Sequence, residues 1–131
     1  MINKIIYLET EYGKFPMAFT INVMEAIQGE YESMEGWSKL TMIGNEPNFK
    51  ALKFCLMHMI NDAYKTLKFF GNSKEFKQID SDEAGLIATT FGMKETIEIM
   101  GELIQKSLPE VQNPKNVKTT QSRKNGKVPP R

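Results

Sequence analysis

The sequence predicts an α+β fold dominated by helix, and three observations predict it. Two short runs of β-forming residues flank a glycine-containing turn near the N-terminus. A long central stretch repeats apolar residues at helical spacing. Two later segments carry their own helix start and stop residues. The architecture expected is an N-terminal β-hairpin followed by three to four helices.

Ile5, Ile6, Tyr7 and Leu8 within residues 4–10 read as the first strand, and Glu11-Tyr12-Gly13-Lys14 as the turn. Residues 15–20 supply the second strand, in which Pro16 demands an edge or a strand start. Two strands alone are only marginally stable, so the hairpin must pack on something else. Asn22 followed by Glu25 has the form of a capping box, opening a short helix that carries Val23, Ala26 and Ile27 on one face and ends near Gly29. Between Tyr31 and Asn45 the pattern is weaker. Trp37, Leu40 and Ile43 can anchor a helical turn, which Gly44-Asn45 would close.

The long helix is expected from Pro47 to about Phe70, with Asn45 as cap and Pro47 in the first turn. At about 100° per residue, Phe49, Leu52, Leu56, Met59, Ile60, Ala63, Leu67 and Phe70 fall within about 100° of arc. Gly71-Asn72 ends it. Asp80 and Glu83 predict a capped start for the next helix, whose inward face is Ala84, Ile87, Ala88 and Phe91 and whose stop is Gly92. Residues 94–108 form the last amphipathic helix, with Ile97, Met100, Leu103, Ile104 and Leu108 on its apolar face and Pro109 ending it.

The 131 residues carry 17 basic and 16 acidic groups, but the balance is uneven along the chain. Residues 111–131 hold six cations and no acid, leaving 11 basic and 16 acidic groups, net −5, before them. That final stretch also contains Pro114, Pro129 and Pro130, and its few apolar residues are isolated. It cannot bury enough surface to offset its ordering entropy, so a disordered tail is expected. The division is therefore a helical α+β domain at 1–110 and a basic flexible tail at 111–131. One cysteine excludes an internal disulfide and a four-thiolate zinc site. No apolar run reaches the ~18 residues that cross a bilayer, and no secretory signal is apparent, so a soluble cytoplasmic protein is expected.

Catalytic chemistry finds little support. His58 is the only histidine, and Cys55 lies three residues before it, within reach for a Cys–His pair. Cys55 also borders the apolar stripe, where an inert packing thiol is the usual case. Acids cluster at Glu30, Glu32 and Glu35 and at Asp80, Asp82 and Glu83, without the glycine and terminal glutamate of a calcium loop. No phosphate-binding loop or nucleophile elbow occurs. The reading is a non-enzyme with no cofactor and no metal.

Nine methionines are more conspicuous. Met24, Met59 and Met100 suit a core, but Phe54 and Met57 project among lysines on the long helix, flanked by Tyr64. Either the hairpin covers this side, or Phe54, Met57 and Tyr64 form an adaptable contact surface for a helical partner.

The order of these segments carries a resemblance. The turn at Tyr12-Gly13-Lys14 followed by PMAFT is similar to a short hairpin, FKALKFCLMHMINDAY to a central helix, and IDSDEAGLIATTFGMKETIEIMGELIQKSLP to a closing helix pair. In this layout the chain resembles the tail assembly chaperones of long-tailed bacteriophages and prophages of Gram-positive hosts. The intervening KTLKFFGNSKEFKQ stretch departs from that family's pattern. The resemblance implies a chaperone that coats the long helical tape measure protein, keeps it soluble and helps recruit tail tube protein. It further implies action in the bacterial host cytoplasm, absence from the mature virion, and many copies on each partner chain, with self-association open. Lys115, Lys118, Arg123, Lys124 and Lys127 would then offer contacts to tube subunits.

A different class remains as the alternative: a small phage nucleic-acid-binding or regulatory protein acting through the basic tail. Against it, the tail has no aromatic residue to stack on bases, and the acidic domain repels a phosphate backbone.

Overall fold

The hairpin closes more tightly than the glycine position suggests. The computed structural model describes residues 5–41, 46–71 and 77–107. Strands β1 (Ile6–Thr10) and β2 (Gly13–Met17) pair antiparallel, with Ile6 opposite Met17 and Thr10 opposite Gly13. Only Glu11 and Tyr12 form the connection, and Gly13 already belongs to β2, at a φ of 133° that favours glycine. Thr10 locks the turn: its hydroxyl donates to the Gly13 carbonyl at 2.8 Å and accepts from the Tyr12 N–H at 3.1 Å. β2 stops at Met17, short of the expected Thr20. The next N–H, on Ala18, leaves the ladder and donates to the Met59 carbonyl at 3.2 Å, which docks the hairpin on the long helix.

Helix α1 (Ile21–Tyr31) is capped by Thr20, not Asn22. The Thr20 hydroxyl accepts from the Val23 N–H at 3.3 Å, while the Asn22 amide is drawn to Asp62. The helix runs past Gly29 and ends at Glu32, which takes a left-handed φ of 72° and returns its N–H to Gln28 at 2.8 Å. Helix α2 (Met34–Thr41) follows at once, with Ser33 accepting from the Gly36 N–H at 2.9 Å. Trp37 is its anchor, 1% exposed, with its indole N–H donating to the Ala51 carbonyl at 3.0 Å. Leu40, expected beside it, faces outward. Ile43, Gly44 and Asn45 lie outside the described residues.

Helix α3 (Phe49–Gly71) is the axis on which β2, α1, α2 and α4 all pack. Asn48 caps it, accepting from the Ala51 N–H at 2.9 Å, so Pro47 precedes the cap and does not enter the first turn. Leu52, Leu56, Met59, Ile60 and Ala63 are buried as the stripe predicts. Ala51, Cys55 and Asp62 are buried too, because a helix packed on several sides hides more than one stripe. The two ends of the predicted stripe, Phe49 and Phe70, are exposed instead.

Helix α4 (Ser81–Phe91) begins with the predicted box: Asp80 accepts from the Glu83 N–H at 2.8 Å, and Glu83 accepts from the Asp80 N–H at 2.9 Å. Gly92 ends it, its N–H on the Ala88 carbonyl at 2.9 Å. Helix α5 (Met93–Ser107) turns Thr96, Met100, Leu103 and Ile104 into the core; Leu108 lies outside the described residues. Among the described residues five helices follow the hairpin, and 72% of those residues are helical. Among the described residues no helix is long and apolar enough to cross a membrane.

Candidate docking grooves

The predicted contact residues on α3 are half-buried and packed against the core. Phe54 meets the edge of Tyr31 at a ring separation of 5.5 Å and lies 4.5 Å from the His58 ring. Met57 sits between Lys53 and Asn61, one turn to either side. Both neighbours are tied to the start of α4: Lys53 Nζ lies 3.5 Å from Asp82 Oδ1, and the Asn61 amide makes paired bonds of 2.8 and 3.0 Å with the Ile79 backbone. The row holding Met57 therefore runs beneath residues 79–82. What covers this side is the end of α1 and the start of α4; the hairpin docks elsewhere, through Ala18 and Met59. Tyr64 lies on the same side of α3, also half-buried. Lys115, Lys118, Arg123, Lys124 and Lys127 lie outside the described residues.

Cys55 is buried, with its sulfur 3.6 Å from that of Met59, and burial pushes its thiol far up, away from the thiolate a nucleophile needs. His58 moves the other way. Partial burial, then the Lys65 ammonium, hold its imidazole below the usual 6.5, while Asp62 opposes them. Asp80 and Glu83 are occupied by the capping box. Among the described residues, no group of three histidine, cysteine or acidic side chains is placed to hold a metal ion.

Sequence reasoning missed Asp62. Its buried carboxylate accepts from the Thr20 hydroxyl and, at 3.3 Å, from the Asn22 amide. It thereby stands at the N-terminus of α1, whose own first turn has no acid. The partners are 40 and 42 residues apart, so no local pattern reveals them.

Two concavities flank α5, which packs most closely on α4 and so leaves space on either side. The first, about 510 Å³, lies among α3, α4 and α5. Leu52, Leu56 and Met100 form its buried floor, and Phe49, Leu86 and Met93 stand exposed at its rim, Leu86 at 67%. Lys53 crosses one end over Gly85, where an added Cβ would come within 2.9 Å of its stem. The second, about 880 Å³, lies between α2 and α5. Met34, Trp37, Ile97 and Ile104 supply its apolar surface, and Glu35, Glu98 and Glu102 its acidic walls. Ile97 lines both. Leu86, off the inward face of α4, and Met93, at the Gly92 break, were the signals available in the sequence.

Comparison with known proteins finds no matching family model, no matching curated protein and no matching solved structure.

Proposed function

We propose that this chain is a non-enzymatic tail assembly chaperone of a long-tailed phage or prophage. It binds and solubilises the tape measure protein in the host cytoplasm and helps recruit tail tube subunits. It does not enter the finished virion. The observation that carries this reading is the apolar groove among α3, α4 and α5. An amphipathic helix presents apolar residues at i, i+3, i+4 and i+7, and an apolar trough with exposed rims accepts such a face. Met93 on the rim and Met100 on the floor add unbranched, adaptable side chains, which suit a groove that must take many different turns of one long partner. Neither role calls for a reacting group. The fully buried Cys55 accords with that.

Each large apolar side chain buried on docking contributes about 1.5–3 kcal/mol. Leu86→Ser combined with Met93→Ser will therefore weaken capture at least about tenfold. The experiment is co-expression with a fragment of the tape measure protein, followed by co-purification. Intact protein is expected to hold the fragment in solution, and the double variant to release it while keeping its helical circular dichroism. Undiminished capture by the variant would remove the groove from the mechanism, and no capture by the intact protein would remove the function.

A further inference from the structure

We infer that the groove between α2 and α5 is a docking site for the basic C-terminal segment of the same chain, residues 111–131. This goes beyond the chaperone reading and stands independently of it.

The groove joins an apolar floor to acidic walls. Trp37 and Ile104 form buried parts of the floor, and Glu98 and Glu102 project from consecutive turns of α5 along one wall. Glu35 faces them from α2, where Lys39 lies 3.7 Å away in an exposed pair. Among the described residues, Glu98 and Glu102 have no ion-pair partner. The occupant that matches these walls carries cations and few acids.

The described part of the chain ends beside the groove. Gln105 and Lys106 line its far lip, and the chain continues from Ser107. Residues 111–131 hold Lys115, Lys118, Arg123, Lys124, Lys127 and Arg131 with no acid, against a net −5 for the residues before them. Reach is ample. Glu98 and Glu102 lie roughly 12 and 6 Å back from Lys106 along the helix. The eight residue steps from Ser107 to Lys115 span up to about 26 Å when extended.

An exposed ion pair alone contributes little. Tethering changes the outcome, because a short linker holds the segment at an effective concentration of roughly millimolar, and several cations meet several carboxylates at once. Contacts of this kind weaken steeply with salt.

Zero-length carbodiimide coupling of the full chain tests this, since it joins only carboxylates and amines already in contact. At low salt, mass spectrometry is expected to find Glu98 and Glu102 joined to Lys115, Lys118, Lys124 or Lys127 several-fold more often than the exposed acids Glu9, Glu25 and Asp82. Raising the salt to about 0.5 M, where the screening length is a few Å, is expected to abolish that preference. Mixing isotopically light and heavy protein assigns each product to one chain or two. The Trp37 indole resonance gives a second reading. It is expected to shift with salt in the intact protein and to stay fixed in Glu98→Gln/Glu102→Gln. Products spread over all exposed acids, products found only between chains, or a Trp37 resonance equally salt-sensitive in both proteins would overturn the inference.

Discussion

Asp62 and His58 are one turn apart on α3, yet the protein uses them oppositely. Asp62 is fixed by two donors from the entry to α1, and a buried carboxylate left without them would cost about 1–3 kcal/mol. His58 is half-buried against Phe54 with Lys65 nearby, so its neutral form is favoured in the fold. The sign follows. Below its ordinary pKa of 6.5 the unfolded chain binds a proton that the folded chain resists. Stability will therefore be greatest above that value and decline as pH falls from about 6.5 toward the lower folded pKa. Urea midpoints measured between pH 5 and 7 will show the decline in the intact protein and a shallower one in His58→Gln. Equal slopes would mean that His58 is as well solvated folded as unfolded. Cys55 has no such role: its sulfur rests against Met59 and fills space.

Among the elements, the α1–α2 junction is the most exacting. Gly36 lies where a Cβ would sit 2.7 Å from the Tyr31 carbonyl oxygen, a backbone atom that cannot swing aside. Gly36→Ala must open the turn and draw Trp37 from its seat on Ala51, at a cost of about 1–3 kcal/mol. Gly29, inside α1, faces open space, so Gly29→Ala will instead add about 0.5–1 kcal/mol. Denaturant unfolding of the two variants checks the contrast, and equal effects would contradict it. The same division, local against distant, explains which elements were legible from sequence. The Asp80–Glu83 box and the Gly92 stop are complete within a few residues, and both were read correctly. The end of β2 and the cap of α1 were misplaced, because Met59 and Asp62 on α3 divert the groups that local rules would have used. Helix α2 packs on both α1 and α3, and its Trp37 indole N–H is held by the Ala51 carbonyl, a partner fourteen residues away that no local pattern gives.

For the whole molecule, α3 is wrapped by the hairpin, α1, α2 and α4, while α5 is held mainly by α4. That asymmetry leaves concavities on both sides of α5, one apolar and one acid-walled. Neither was readable as a site, because each is shaped by how the helices pack and not by any local pattern; Leu86 and Met93 were the only hints of the first. Phe49 illustrates the difficulty: it keeps the period of the buried stripe but projects past the end of the packed region to the groove rim. Phe54, Met57 and Tyr64 illustrate the converse, since a lysine-flanked aromatic and methionine face is half-covered by neighbouring helices. Of these two faces of α3, the one under the groove is the face on which the proposed docking rests.

The methionine methyl groups distinguish the faces directly. Met93 and Met100 report on the groove, Met57 on the half-covered face, and Met24, on α1, on neither. Methyl resonances followed during titration with a helical tape measure fragment are predicted to shift at Met93 and Met100 while Met24 and Met57 hold still. Shifts centred on Met57, or none at saturating fragment, would contradict docking in the groove.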